Sequence, residues 1–190
     1  MNDIFRQLVT GLRALLVLTV LLGVGYPLVV WGIGQLAFSD QANGSLVVRD
    51  GHVVGSSALG QGFEGEQWFA SRPSAGDHDA QASGGSNLGP SDADLLAAID
   101  QRRAAVARRD GVAPAAVPAD AVTASASGLD PDISPAYAQI QVARVARARN
   151  LSTQDVQALV EANSTGRTLG FLGEPRVNVL LLNLALDGSR

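Results

Sequence analysis

The chain contains an uncharged segment of 26 residues, positions 14–39, between Arg13 and Asp40. The segment is rich in Leu, Val, Gly and Ala. A helix rises about 1.5 Å per residue, so this segment would extend roughly 39 Å, more than the hydrocarbon core of about 30 Å. No later apolar run has a comparable length. The sequence therefore predicts a tail over residues 1–13, a membrane-spanning helix over residues 14–39, and one domain over residues 40–190.

A cleaved signal peptide is the alternative interpretation of this segment. Signal peptides have an apolar region of about 7–15 residues that ends in a small-x-small cleavage site. Residues 14–39 form a longer run, and residues 35–40 at its exit contain no Ala-x-Ala pattern. The absence of Cys also excludes a lipoprotein anchor, disulfides and thiolate chemistry. An uncleaved helix is therefore favoured.

Flanking cations predict the orientation of this helix. Arg6, Arg13 and the terminal amine precede it, whereas Arg49, accompanied by acidic residues, is the cation over a similar distance after it. The positive-inside rule then leaves the N-terminus in the cytoplasm and exports the domain. Residues 40–190 hold 12 of the 14 cations and 17 of the 18 acids, which gives a net charge of about −5. This charge argues against nucleic acid and anionic membrane surfaces as partners.

The exported part is predicted to be an α+β domain with a β-hairpin and about three helices. Asp50 and Gly51 lie between two β-branched runs, and Asp-Gly is typical of a two-residue hairpin turn. Residues 56–90 are rich in Gly, Ser, Asp and Ala, which predicts an ordered loop with short strands. Within this loop Trp68 and Phe69 are expected to be buried.

Capping signals mark the three helices. The expected N-cap residues are Ser91, Ser134 and Ser152. The first two helices are expected to end near Gly111 and Asn150. Residues 175–186 begin with a Val-x-Val pattern typical of a strand and end in a Leu-rich run typical of a helix, so both structures remain open there.

One Gly-rich segment is the most phosphate-like sequence in the chain. Its candidate anion-binding residues are Ser83, Gly84, Gly85, Ser86 and Asn87. Consecutive N–H groups in such a turn can form an anion-binding nest, and a predicted helix N-terminus follows. The segment lacks the Lys-Ser/Thr pair of a Walker loop. The alternative is a tight turn that orders the helix cap.

Two carboxylates, Asp130 and Asp132, lie in a Pro-containing loop over residues 127–135. They are candidates for contact with a cation or with an Arg of a partner, and a rigid turn is the alternative. The two histidines, His52 and His78, have no spaced carboxylate set that would indicate a metalloenzyme. No Gly-x-Ser-x-Gly motif indicates a serine hydrolase.

The uncharged segment carries a stripe of mostly small residues at helical spacing. These are Thr19, Gly23, Pro27, Val30 and Gly34. Small residues allow a second helix to approach closely within a membrane. Pro27 is expected to kink the helix unless its neighbours satisfy the freed carbonyl. The stripe predicts a surface that packs against a partner helix, with the ordinary Gly and Pro content of membrane helices as the alternative.

Seven motifs occur in a fixed order along nearly the whole chain. They lie at residues 25–27, 40–46, 69–74, 83–90, 122–135, 144–149 and 166–186. Together they resemble the KdpC family, whose members belong to the Kdp potassium-transporting ATPase, and the resemblance extends from about Leu12 to Asp187.

This resemblance implies a non-catalytic subunit of a bacterial inner-membrane complex for high-affinity, ATP-driven potassium uptake. The partners that it implies are a channel-like subunit that selects potassium, a P-type ATPase subunit that hydrolyses ATP, and a small membrane subunit. Proteins of this family are needed for assembly and are described as catalytic chaperones that raise the ATP affinity of the pump subunit. ATP and potassium are then encountered through the complex, with no cofactor bound by the chain itself.

The residues favour an indirect effect on ATP. The chain has no Walker loop, and the predicted orientation exports the Gly-rich segment to the side where ATP is absent. We expect the helix to dock in the membrane and the exported domain to cap the potassium entrance.

Two other functional classes stay open. A membrane-tethered extracytoplasmic enzyme would need one concave site with perturbed titratable groups. A pilin-like assembly protein would need a Glu early in its apolar run, and residues 14–39 contain none.

Overall fold

The computed structural model describes residues 2–188, which divide into two compact units between Leu46 and Val47. The first unit consists of helix α1 (Asn2–Val20), a π-helical turn (Leu21–Gly25), helix α2 (Tyr26–Ala37) and the short helix α3 (Ser39–Ala42). The continuous helical stretch Asp3–Ala37 has 35 residues and is long and apolar enough to cross a membrane. The predicted N-terminal apolar helix is therefore present.

The π-helical turn ends two residues before Pro27, and the kink expected at Pro27 stays a prediction. Within it the N–H of Tyr26 donates to the carbonyl oxygen of Leu21, five residues earlier. A Pro has no N–H and its ring crowds the preceding turn of an α-helix. A widened turn relieves that crowding, because the chain takes up about one additional residue there.

The second unit opens with the predicted hairpin. Strands β1 (Leu46–Arg49) and β2 (His52–Ser56) pair with each other. The turn residues Asp50 and Gly51 have φ angles of 52° and 79°. Two successive left-handed residues are what a two-residue hairpin turn requires, so the Asp-Gly prediction is confirmed.

Four longer helices follow: α4 (Ala93–Asp110), α5 (Pro135–Arg149), α6 (Thr153–Ala162) and α7 (Val179–Gly188). The predicted caps of α5 and α6 are confirmed, since the Ser134 and Ser152 hydroxyls accept N–H bonds at 3.0 Å. The predicted cap of α4 is wrong by one residue. Asp92, not Ser91, accepts from the N–H groups of Asp94 and Leu95. A carboxylate is favoured there because it also opposes the positive end of the helix dipole.

A small antiparallel sheet joins distant parts of this unit. Its strands are β3 (Asp132–Ile133), β4 (Ser164–Thr165) and β5 (Arg176–Asn178), in the order β3-β5-β4. Ile133 pairs with Val177 in the sheet, and both side chains are buried. The segment left open by the sequence contains both structures, because strand β5 runs directly into helix α7.

Residues 57–90 form an ordered loop, but the short strands predicted there are absent from the described structure. Single backbone hydrogen bonds hold the loop instead, from Gly60 N to Leu129 O at 2.8 Å and from Ser125 N to Pro73 O at 3.1 Å. Gly60 lies so close to the Asp130 carbonyl that a Cβ atom would clash with it. The loop is thereby fixed against the segment that carries both candidate carboxylates.

The core of the second unit is centred on α5. Phe69 from the loop is fully buried there together with Tyr137, Val145 and Leu182. Asn183 fixes Phe69 by accepting from its N–H at 2.8 Å and donating to its carbonyl at 3.0 Å. The predicted burial of Phe69 is confirmed, while Trp68 is half-buried.

Candidate functional site

A charged cleft of about 410 Å³ lies where the candidate carboxylates meet the three-stranded sheet. Its charged lining residues are Arg72, Asp120, Asp130, Asp132, Glu174 and Arg176. The loop over residues 57–90 supplies Arg72, strand β3 begins with Asp132, and strand β5 begins with Arg176. The fold thus collects these groups from segments far apart in sequence. We call this feature the charged cleft.

Both candidate carboxylates form ion pairs within the cleft. Asp130 binds Arg72 at 2.8 Å, and Asp132 binds Arg176 at 3.1 Å. Asp130 also accepts the N–H of Asp132 at 3.1 Å, which orders the loop between them. The contact with a cation or a partner's Arg stays a prediction, and any such contact would compete with these internal arginines.

The pKa of Asp132 is shifted by its position in the cleft. Burial raises the pKa of this carboxyl above its usual value, and the nearby charge of Asp130 adds to the rise. The charge of Arg176 and a hydrogen bond with Asn178 act in the opposite direction. The net effect is upward, so the folded protein holds this proton more firmly than the unfolded chain does.

The charged cleft contains a serine hydroxyl that is already engaged in hydrogen bonds. Across residues 2–188, no group of three or more His, Asp or Glu side chains could hold a metal ion. Ser134 supplies the hydroxyl of the lining, and this hydroxyl donates to Asp120 at 2.9 Å while it caps α5. Both hydrogen bonds order the start of α5, which gives this hydroxyl a structural role.

The Gly-rich segment packs against another loop of the same unit. The N–H of Gly84 donates to the Ser127 carbonyl at 2.8 Å, and the Ser83 hydroxyl contacts the same oxygen at 3.1 Å. A Cβ on Gly85 would lie 3.1 Å from the Ala126 carbonyl oxygen, so the two loops are in close contact. The N–H of Gly84 is therefore already used, and this geometry favours the tight-turn alternative.

The helix that follows does not extend the possible nest. Asn87 has a left-handed φ of 54°, and α4 begins only at Ala93. Its first N–H groups are taken by the carboxylate of Asp92. An incoming phosphate would meet that negative charge, so anion binding at Ser83, Gly84, Gly85, Ser86 and Asn87 stays a prediction without a helix-dipole contribution.

The small-residue stripe spans the π-helical turn. A Cβ on Gly23 would lie 3.9 Å from the Thr19 side chain, so these two residues share one face. Gly34 faces α3, since its Cβ would lie 3.7 Å from Ala42. The extra residue in the turn rotates the later members of the stripe, Pro27, Val30 and Gly34, by about 100° from the phase that the spacing assumed.

A buried ionic network was not predicted from the sequence. Arg144 is 2% exposed and binds Asp110, whose side chain is fully buried, at 2.7 Å. It also donates to the Glu66 and Trp68 carbonyls and to the Gln141 side chain. The sequence feature that could have indicated this network is the series of arginines over residues 144–149, on a helix with few acidic residues.

Arg109 completes this network. It donates to Asp110 at 2.7 Å and to the Tyr137 hydroxyl at 3.2 Å. Burial lowers the pKa of Arg109, but its hydrogen bonds and the neighbouring charges more than offset this, so the net shift is upward. Burial raises the pKa of Tyr137, against the effect of Arg109. At neutral pH Arg109 therefore stays charged and Tyr137 stays protonated. This favours a structural role for both groups.

A second arginine of α5 also holds the loop. Arg149 lies over the Trp68 ring at 4.2 Å and binds Asp187 at 2.8 Å. It also donates to the Gln67 carbonyl at 2.8 Å. Together with Arg144, this residue fixes the backbone of the aromatic segment against α5.

An exposed apolar loop connects β4 to β5. Its large side chains Leu169, Phe171 and Leu172 are 79%, 70% and 51% exposed. The loop is nevertheless ordered, because Thr168 and Leu172 form a bridge and Arg167 pairs with Glu174 at 2.7 Å. Ordered apolar side chains at this exposure are typical of a contact surface.

Comparisons with known proteins support the family resemblance that the sequence motifs indicate. A family model described as "KdpC: K+-transporting ATPase, c chain" matches residues 8–188. The Kineococcus radiotolerans potassium-transporting ATPase KdpC subunit is 58% identical, over 100% of this chain and 97% of its own length. Proteins of the same name from Methylibium petroleiphilum and Mycobacterium bovis are 56% and 55% identical and are covered over 98% of their lengths.

Proposed function

The chain belongs to the KdpC family of K+-transporting ATPase c chains, and from this premise we propose that it is a non-catalytic subunit of an ATP-driven potassium uptake complex. Its helix docks in the inner membrane against a channel-like subunit, with the pump subunit and a small membrane subunit in the same assembly. The exported domain caps the potassium entrance. Its influence on ATP use by the pump subunit is indirect.

The long apolar helix carries this proposal. None of the residues in its apolar window is buried. Gly23, a member of the predicted stripe, is open: only the helix's own Thr19 lies within 4 Å of a Cβ built there. A lone lipid anchor needs no such openings, whereas a helix that packs against another does.

Features of the domain support a binding role. The charged cleft contains internal ion pairs, and the exposed apolar loop over residues 168–173 is ordered. Both are surfaces that a partner could cover. In the cleft the Ser134 hydroxyl is engaged in capping α5, which suits a structural role better than a catalytic one.

A matched pair of helix variants tests the docking. Gly23→Leu fills the open face beside Thr19, whereas Gly32→Leu adds the same bulk to open space outside the predicted stripe. We expect a tagged chain with Gly23→Leu to lose the other subunits on purification in mild detergent, while Gly32→Leu retains them. Equal retention by both variants would contradict docking through the stripe.

A binding measurement tests the indirect effect on ATP. The full chain in detergent micelles is expected to show no Mg-dependent binding of ATP by calorimetry. Tight, Mg-dependent binding that is lost on replacing Gly84 and Gly85 by Val would overturn the proposal and support the Gly-rich segment as a nucleotide site.

A further inference from the structure

The π-helical turn changes which N–H groups can reach the backbone carbonyl of Leu22. In a regular α-helix the carbonyl of Leu22 would accept from the N–H of Tyr26, but Tyr26 donates to Leu21. In a π-helix it would accept from residue 27, and that residue is Pro27, which has no N–H. The carbonyl of Leu22 therefore has neither of its helical partners.

This carbonyl lies deep within the candidate span. Leu22 is nine residues after Arg13 and 18 residues before Asp40, which correspond to about 13 Å and 27 Å along a helix. A backbone acceptor without a partner is strongly unfavourable at such depth, because lipid chains offer no hydrogen. The demand for a donor is thus fixed by the fold of the helix itself.

The helix cannot supply this donor from its own side chains. The nearest polar residues are Thr19 and Tyr26. A helical Thr hydroxyl reaches the carbonyl three or four residues before it, which here is Leu16 or Leu15 and not Leu22. The Tyr26 side chain is 65% exposed, and its hydroxyl is at the far end of a rigid ring. A single water is also poorly held, because a buried water needs two or more polar partners.

We propose that the carbonyl of Leu22 accepts a hydrogen bond from a polar side chain on a membrane helix of another subunit. The donor is a hydroxyl, amide or indole N–H at the depth of the π-helical turn. Gly23 and Gly25 flank the carbonyl with no side chain of their own, so a partner helix can come close enough. This inference rests on the proposed docking of the helix and adds its hydrogen-bonding chemistry.

An amide-to-ester exchange tests the acceptor directly. Glycolic acid at position 23 turns the Leu22 carbonyl into an ester carbonyl, which is a weaker acceptor, and changes no side chain. Glycolic acid at position 32 is the matched control, because the Trp31 carbonyl lies inside α2 and keeps its helical donor. Each exchange also removes one backbone N–H, so that loss cancels between the two variants.

The measurement is retention of the other subunits per membrane-inserted chain, by titration in mild detergent. The exchange at position 23 is expected to weaken retention roughly three- to tenfold more than the exchange at position 32. Equal weakening would overturn the proposal. If the unmodified chain itself retained no other subunit, the proposed docking would fail instead, so the two failures are distinguishable.

A second variant guards against a general disturbance of the helix. Pro27→Ala supplies an N–H at the position that a π-helical bond to Leu22 requires. In that background the ester at position 23 is expected to weaken retention no more than the ester at position 32. A persistent difference would show that the ester acts through the helix and not through the acceptor, which contradicts the proposal.

Discussion

The buried pair of Arg144 and Asp110 gives the sharpest test of what holds the domain together. Arg144→Met keeps the length of the side chain and removes its charge. Four hydrogen bonds are lost, to Asp110, Gln141 and two loop carbonyls. At about 1 kcal/mol net each, the loss is about 4 kcal/mol. Breaking a buried ion pair by removing one partner gives a similar value, about 3–5 kcal/mol.

This loss would be a large part of the total free energy of unfolding, about 5–15 kcal/mol for a typical domain. The assay is urea unfolding of the full chain in detergent, followed by the fluorescence of Trp68 in a Trp31→Phe background. Trp68 reports on the network because Arg144 donates to its carbonyl at 2.9 Å. Arg103→Met is the matched control, since Arg103 pairs with Asp100 on an exposed face of α4.

The control is expected to lose at most about 0.5 kcal/mol. If Arg144→Met were as stable as Arg103→Met, the network would not hold the aromatic segment to α5. The physical explanation given for the order of that loop would then be refuted.

Three further changes have defined outcomes. Gly60→Ala is expected to lower the urea midpoint, because its Cβ would clash with the backbone of the facing loop; an unchanged midpoint would contradict that contact. Asp132→Asn should remove one contribution to the pH dependence of the unfolding free energy. Burial raises the pKa of Asp132 in the folded state. The wild type should therefore gain stability relative to the variant as the pH falls from neutral through this raised pKa. A constant difference across that range, in urea unfolding at each pH, would argue against the shift. Phe171→Ser should leave the unfolding free energy unchanged but reduce retention of the other subunits. Leu96→Ser, at another exposed position, should change neither the unfolding free energy nor the retention. Equal retention by both variants would show that the exposed apolar loop is not part of the proposed interface.

Local signals in the sequence predicted the elements whose structure is decided locally. The Asp50-Gly51 turn and the caps at Ser134 and Ser152 depend on residues within a few positions of each other. The apolar helix follows from composition over one continuous segment. The Ser91 prediction failed because two adjacent residues could both cap, and charge decided in favour of Asp92.

Long-range contacts were beyond local reasoning. The ion pair of Arg144 with Asp110 joins residues 34 positions apart, and the bond of Arg72 with Asp130 joins residues 58 apart. Nothing in the local pattern around Asp130 indicates which arginine would neutralise it. The π-helical turn likewise depends on how the helix accommodates Pro27. The prediction of the small-residue stripe was based on the spacing of a regular α-helix.

The central claim places the domain on the potassium side of the membrane and away from ATP. Because the chain has no Cys, single cysteines report the topology without background. Ala105→Cys on an exposed position of α4 is expected to react with a membrane-impermeant maleimide in cells whose inner membrane is intact, while Gln7→Cys reacts only after that membrane is opened. The opposite pattern, with Gln7→Cys labelled first, would place the domain in the cytoplasm and contradict the account.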